Sequence, residues 1–304
     1  MKTVEVFLST YNGEKYLREQ IESILQQKNV VISILIRDDG SSDGTIEILK
    51  HYEKYPNISV LYGENIGYQR SFLSLMSLSK RKSDYYAFSD QDDIWESEKM
   101  LQAINEIQTR TINSPLVLYF SSLKVVDEKL NFKFKKDFID RKRTLGSVLS
   151  SSNIAGCTFV FNSELISTVL QCNEIFNIPI GHDSWLYKIA VANSADIVYD
   201  INSYILFRRH STTTSNLNKN IVERLKKDLY AIFFNDNRNS KVAKAINNTY
   251  YDSLKTQERL LLNKLIAYDS NFKNRIALLF INELKTGSRK IDFVTKFKIL
   301  IGVY

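Results

Sequence analysis

Ile32-Ser33-Ile34-Leu35-Ile36-Arg37-Asp38-Asp39-Gly40-Ser41-Ser42-Asp43-Gly44-Thr45-Ile46-Glu47-Ile48-Leu49 changes its hydrophobic period once. Before Asp38 a near-continuous apolar, β-branched run predicts a strand over residues 31–37. From Thr45 onward, Ile46, Leu49 and Tyr52 recur at helical spacing, so residues 45–55 predict an amphipathic helix. The Asp, Gly and Ser residues between them make a turn that ends at a helix start. Strand, short polar turn and helix together form half of a βαβ unit.

Working outward, the same alternation runs from Val4 to Phe120. Residues 4–9, 58–62, 85–89 and 116–120 predict further strands, and residues 16–27 a helix with Leu17, Ile21, Ile24 and Leu25 on one face. Right-handed crossovers between such strands build an α/β fold, a mostly parallel sheet flanked by helices. Ligands of these sheets sit outside the carboxyl ends of the strands. The informative loops are therefore Thr10-Tyr11-Asn12-Gly13, Asp38 through Gly44, and Ser89-Asp90-Gln91-Asp92-Asp93-Ile94-Trp95.

Farther along, residues 156–161 predict a buried strand and residues 204–209 a final one. After about Ser215 the pattern turns to helical stretches rich in Lys, Arg, Asn, Leu and Ile, which divides the chain into an α/β domain, 1–215, and a helical extension, 216–304. In the extension, residues 272–285 and 291–301 mix Phe, Leu, Ile and Val with Lys and Arg. Such helices suit an anionic membrane surface, and equally suit packing on the α/β domain with a solvated basic face.

The bulk properties fit this plan. The 304 residues are 44% hydrophobic and 25% charged, with three prolines and ten glycines, as for a chain folded throughout. Cys157 and Cys172 show neither CxxC spacing nor a paired His, which points to buried thiols rather than a disulfide or zinc framework. The first residues reach a polar loop without a signal-peptide apolar stretch, and no apolar run is long enough to span a bilayer, so a cytoplasmic protein is expected. The net charge of +7 favours an anionic partner without choosing among nucleic acid, lipid and phosphorylated substrate.

Acidic residues cluster in the strand-end loops although the protein is basic. Carboxylates crowded at one edge repel unless a cation or hydrogen-bond donors hold them, and hard divalent ions such as Mg²⁺ or Mn²⁺ prefer oxygen ligands. Asp90-Gln91-Asp92-Asp93 has the composition of such a site; the alternative is a set of helix caps on a solvated turn. Asp38-Asp39-Gly40-Ser41, read alone, is a turn and cap, but a carboxylate there can also accept a hydrogen bond from a base N–H.

The three loops in this order resemble family 2 of the inverting glycosyltransferases over approximately residues 3–215. Ser9-Thr10-Tyr11-Asn12-Gly13-Glu14 looks like that family's opening nucleotide-binding loop, and Arg37 through Gly44 like its base-binding strand end. Phe88-Ser89-Asp90-Gln91-Asp92-Asp93-Ile94-Trp95 resembles its DxD region, in the form seen among bacterial rhamnosyltransferases of cell-wall and capsule synthesis. The resemblance implies a GT-A fold, Rossmann-like with a helical C-terminal extension, and a divalent cofactor, Mn²⁺ or Mg²⁺. It implies that Ser9, Tyr11 and Asp39 hold a pyrimidine nucleoside with Asp38 supporting the loop. Asp90 would contact ribose or metal, Gln91 and Arg70 would contact the nucleotide sugar, and Asp92 would bind the metal.

By the same resemblance Asp183, in Ile180-Gly181-His182-Asp183-Ser184-Trp185-Leu186, is the base that deprotonates the acceptor hydroxyl. The bland reading is a helix cap beside a packing Trp. His182, Trp95 and Trp185 would face acceptor or sugar, either Trp being equally suited to the core. His210 would be the second metal ligand, although Arg208-Arg209 before it departs from the family pattern and offers a bidentate diphosphate site instead. The implied donor is dTDP-L-rhamnose, with UDP-glucose or UDP-galactose as the alternative. The implied acceptor is a saccharide or polyprenyl-linked saccharide, reached by peripheral contact with the inner face of the cell membrane.

Other classes fit less well. A haloacid-type phosphatase needs a Thr or Val after its Asp-x-Asp and uses an earlier strand. A sugar-nucleotide pyrophosphorylase needs a Gly-rich, Arg-containing N-terminal loop. A nucleic-acid-binding protein would suit the charge, yet the basic residues are dispersed and no binding motif is present.

Overall fold

The structure, a computed structural model, describes all residues except 112, 141, 153 and 211–237. Its α/β body runs β1 (Lys2–Thr10), α1 (Leu17–Leu25), β2 (Val30–Asp38), α2 (Thr45–Tyr52), β3 (Ile58–Tyr62), α3 (Tyr68–Leu78) and β4 (Tyr85–Ser89). Then follow β5 (Ile94–Trp95), α4 (Lys99–Arg110), β6 (Val117–Val126), β7 (Phe132–Lys136), α5 (Leu145–Ser150), β8 (Val160–Phe161), α6 (Ser163–Val169), α7 (His182–Ala192) and β9 (Asp196–Arg208). Among the described residues these strands form one nine-stranded sheet in the order β3-β2-β1-β4-β8-β6-β9-β5, with β7 beside β6. The pairs β1–β2, β1–β4, β2–β3 and β6–β9 are parallel, and β8 and β5 insert antiparallel. This is the mostly parallel sheet expected from the sequence.

Strand alternation assigns the two faces. Val4, Val6 and Leu8 of β1 point to a layer with Leu17, Ile21 and Ile24 of α1 and Met100 and Ile104 of α4. Phe7 points the other way, into a core with Phe72, Phe88, Phe161 and Trp185. Phe7 stacks on Tyr86 with centroids 5.7 Å apart, and Phe88 meets Phe161 at 4.8 Å. Such pairs add roughly 0.5–1.5 kcal/mol beyond area burial.

Two predicted strands change. Residues 156–161 hold only the two-residue β8, preceded by a 3-10 turn, Gly156–Thr158. There the amides of Thr158 and Phe159 bond back to Ala155 and Gly156 at 3.0 and 2.8 Å, so they are not available to a ladder. The last strand is longer than residues 204–209, because β9 pairs with β6 along its length. The predicted 215/216 boundary lies outside the described residues.

The C-terminal helices α8 (Arg238–Tyr250), α9 (Thr256–Ala267), α10 (Phe272–Leu279) and α11 (Arg289–Ile301) are not a separate body. Val242, Ile246, Leu262, Leu265, Tyr268 and Ile299 join the same hydrophobic cluster as Phe7 and Trp185. Ser150 and the Tyr304 hydroxyl close the contact at 2.8 Å. Packing on the α/β body is therefore realised for the inner faces of these helices. Among the described residues no helix is long and apolar enough to cross a membrane.

The seam between body and extension runs through Gly146. A Cβ there would stand 2.5 Å from the Glu283 carbonyl oxygen. Gly146→Ala is expected to destabilise the protein by about 1–3 kcal/mol through overpacking, read as a lower denaturant midpoint.

Candidate active site

Register brings the first loops together. Thr10 pairs with Asp38 and Leu8 with Ser89, so the chain leaves β1, β2 and β4 at nearly one level of the sheet's carboxyl edge. The loops are then tied by side chains. The Gln91 carboxamide accepts from the Thr10 hydroxyl at 2.7 Å and the Tyr11 amide at 2.9 Å, and donates to the Tyr11 carbonyl at 3.2 Å. Gln91 thus holds the first loop to the third, and its amide is engaged with protein rather than turned to a ligand. Asp38 accepts from the Ser41 and Gly40 amides at 3.0 and 3.2 Å and from the Ser41 hydroxyl.

Asp39 is placed differently from a carboxylate facing a base. It is 2% exposed, ion-paired with Arg37, and accepts the Ile66 and Gly67 amides at 2.9 and 2.8 Å. In this arrangement it clamps the start of α3. The Ser9 hydroxyl donates to that of Ser71 at 2.7 Å, while Tyr11 stands 48% exposed at the rim.

The third loop is the acidic centre. Asp92 Oδ2 lies 2.7 Å from His210 Nε2, so residues 118 positions apart meet as a carboxylate and imidazole pair. An oxygen and a nitrogen donor converging in this way, with Asp90 nearby, fit a divalent cation. Burial, then the charge of Asp92, then that of Asp183, push the Asp90 carboxyl up to about 7. Deeper in, Asp93 is 1% exposed and accepts the Arg208 amide at 3.1 Å. Asp90, Asp93 and Cys157 place donor atoms within 4.8 Å of one another. Burial first, and neighbouring carboxylates next, push both the Asp93 carboxyl and the Cys157 thiol well above their ordinary values. The thiol in this set is a soft donor, poorly matched to a hard cation that prefers oxygen.

Arg208 binds the region together. Its side chain donates to the Asp92 carbonyl at 3.0 Å and the Glu128 carbonyl at 3.3 Å, pairs with Glu19 of α1, and lies 4.5 Å from the Tyr16 ring centre. At 4% exposure it is a brace for the acidic loop and not a diphosphate clamp, which corrects that alternative for Arg208. Arg208, Glu19 and Asp93 are the residues that sequence reasoning passed over as a set. Only the unusual Arg pair before His210 signalled them.

Asp183 sits in the first turn of α7 and accepts the Gly156 amide at 3.2 Å and the Ser184 amide at 2.6 Å. Gly156 is needed for this approach, since a Cβ there would lie 2.7 Å from that of Asp183. Gly156, whose amide meets Asp183, directly precedes Cys157, whose thiol lies within 4.8 Å of the Asp90 and Asp93 carboxyl groups, so Asp183 borders the acidic loop.

Three aromatic expectations are corrected by burial. Trp185 is 0%, Trp95 3% and His182 4% exposed, so none presents a face to a sugar or acceptor. His182 stacks on Phe72 with centroids 3.9 Å apart and meets the Phe88 edge at 4.6 Å. The Lys99 ammonium lies 3.7 Å from the Trp95 ring centre. Arg70 is exposed on α3 and donates to the Phe176 carbonyl at 3.1 Å, which ties α3 to the segment leading into α7.

Comparison with known proteins bears on this site. Residues 5–168 match the family described as Glycosyl transferase family 2. The chain is 29% identical over 225 residues to the dTDP-rhamnosyl transferase RfbG of Shigella flexneri, covering 69% of this chain and 74% of that protein. It is 33% identical over 110 residues to TuaG of Bacillus subtilis, described as a putative teichuronic acid biosynthesis glycosyltransferase, over 36% of this chain and 43% of that one. Residues 1–349 of S. aureus TarS, as a crystal structure, share the fold with a TM-score of 0.60 at 17% identity, covering 100% of this chain and 81% of that one.

Two outcomes test the site's construction. Arg208→Met is expected to cost about 1–3 kcal/mol in denaturant unfolding, through buried acceptors left unpaired. Exposed Lys54→Met should stay within about 0.5 kcal/mol. Burial, only partly opposed by Asp183, holds the His182 imidazole down to about 4 from its ordinary 6.5. The unfolded chain therefore takes up a proton that the folded one refuses. This penalty is absent above about pH 6.5 and grows as pH falls towards 4, to on the order of 3 kcal/mol. Measured against wild type at each pH, His182→Leu should gain stability progressively as pH falls from about 6.5 towards 4, the opposite-signed Asp90 contribution being common to both proteins.

Proposed function

The chain belongs to glycosyl transferase family 2, and on that premise we propose that it is an inverting, divalent-metal-dependent enzyme of cell-surface polysaccharide synthesis. In this reading it moves L-rhamnose from dTDP-L-rhamnose to a saccharide or polyprenyl-linked saccharide. The observation that carries the reading is the 2.7 Å meeting of Asp92 and His210 at the sheet's carboxyl edge, in the same site as Asp183. Similarity to RfbG supports the rhamnosyl donor. A UDP-linked glucose or galactose is the second reading, since uracil and thymine offer a protein the same N3–H donor.

Asp92 and His210, with Asp90 beside them, would hold Mn²⁺ or Mg²⁺. The bound cation would neutralise the charge that develops on the leaving nucleoside diphosphate. The protein's own part is positional and basic. Tyr11 and Ser9 line the nucleoside side of the loop cluster, and the Gln91 bracket keeps that loop in place. Asp183, oriented by the Gly156 and Ser184 amides, takes the proton of the acceptor hydroxyl as its oxygen attacks the anomeric carbon from the face opposite the diphosphate. One displacement of this kind inverts the anomeric centre and needs no covalent sugar–enzyme intermediate. The acceptor would be met at the inner face of the cell membrane.

The test is nucleotide release from a panel of dTDP- and UDP-sugars with Mn²⁺ or Mg²⁺, with the anomeric configuration of the product read by NMR. Turnover of one donor is expected, abolished by chelator, lost in Asp92→Ala and lowered by at least about 10²-fold in Asp183→Asn. Absence of turnover or binding for every donor by folded protein would remove the reading, and a retained anomeric configuration would remove the single displacement.

A further inference from the structure

Among the described residues, the outer face of α11 has no partner in the core. Its inward residues Thr295 and Ile299 are 5% and 1% exposed, which completes the helix's packing on the body. Yet Phe293, Phe297 and Leu300 are 71%, 37% and 39% exposed on the other side. With 3.6 residues per turn, these three and the exposed Arg289, Lys290 and Lys296 fall within an arc of about 120°. In the preceding helix, which packs against α11, Phe272 at the start of α10 and Phe280 just after its end are 62% and 79% exposed. A helix that has already buried one apolar stripe normally turns charge to water on the other side.

The charge is as uneven as the hydropathy. Residues 269–304 contain seven Lys or Arg and three Asp or Glu. Asp292, the one acid in α11, is turned to Thr286, whose amide and hydroxyl both donate to it at 2.7 Å. Asp269 is paired with Arg275. The outer arc is thus aromatic and basic without an acid of its own. Phenyl rings that project from a convex helix face, flanked by long basic side chains, match a plane with an apolar interior and anionic headgroups. The helix, 13 residues long, is too short to cross a bilayer but sufficient to lie on one.

We propose that the α11 face, with Phe280 and Phe272, docks the protein on an anionic lipid surface, Phe293 and Phe297 entering the headgroup boundary and Arg289, Lys290 and Lys296 meeting lipid phosphate. For its biological sense the inference rests on the membrane-side acceptor proposed above, and it names the surface that brings the enzyme there.

The experiment is cosedimentation of the full chain with phosphatidylglycerol vesicles and with pure phosphatidylcholine vesicles, at low and high salt. Wild type should bind the anionic vesicles, weakly bind the neutral ones, and lose affinity with salt. The double variant Phe293→Glu, Phe297→Glu should bind anionic vesicles at least about tenfold more weakly. Phe132→Glu, at an exposed Phe of β7, should bind as wild type does. Failure of wild type to bind anionic vesicles at low salt, or equal binding by the double variant, overturns the proposal. So does a change from dimer to monomer in that variant by analytical ultracentrifugation, which would assign the face to a second copy of the chain. Donor turnover measured on the same samples separates the two readings: vesicle binding without turnover leaves this face standing and sinks the enzyme assignment, and turnover without vesicle binding does the reverse.

Discussion

Asp90, Asp92, Asp93 and Asp183 are crowded at one edge of a sheet, and the surrounding structure is organised around the cost of keeping them there. Asp93 is buried and the other three are half-buried, and the crowding is visible in Asp90, pushed up to about 7 by burial and by its neighbours. Fixed donors offset this crowding. The Arg208 amide serves Asp93, the Arg208 guanidinium serves the Asp92 carbonyl, the Gly156 amide serves Asp183, and His210 meets Asp92. These donors come from β9 and from the turn before β8, which explains why the second half of the chain must fold against the first before the edge has its shape.

Around that centre the polar residues divide their work. Gln91, Asp38, Asp39 and Arg37 spend their hydrogen bonds on one another's loops, so the edge is held open by side-chain brackets rather than by backbone pairing. A site that must accept a charged ligand gains from such preorganisation, because the groups need not rearrange as the ligand arrives. Behind the brackets, His182, Trp185 and Trp95 form part of the packing that fixes where α7 and β5 start. Their contribution to the site is rigidity, transmitted through the aromatic cluster of Phe72 and Phe88.

The C-terminal helices combine two demands on one set of residues. Their inner stripes extend the core of the α/β body through Tyr268, Ile299 and Tyr304, and their outer stripe remains apolar and basic. The two readings that amphipathicity alone left open are therefore not exclusive, since a helix has more than one face to commit.

Period and spacing determined the parallel sheet, because strands of Val, Ile and Leu alternating with helical stripes have few other ways to bury themselves. They also located the three loops, since strand ends on one sheet meet at one edge whatever the details of packing. The sequence pointed to Asp92 and His210 as a pair through a family pattern, but only the antiparallel register of β5 with β9, Ile94 opposite Leu206, brings residues so far apart in the chain to 2.7 Å. The fate of the aromatic residues was likewise out of reach. A Trp or His beside an Asp at a helix start has the same letters whether it faces a sugar or the core, and the choice depends on how α7 rotates against Phe72 and Phe88, a matter of long-range packing. The bracing role of Arg208 was out of reach for the same reason: its partners Glu19, Asp92 and Glu128 come from three distant segments. Local pattern decides what a segment can become, and tertiary contact decides which of its polar groups remain available for chemistry.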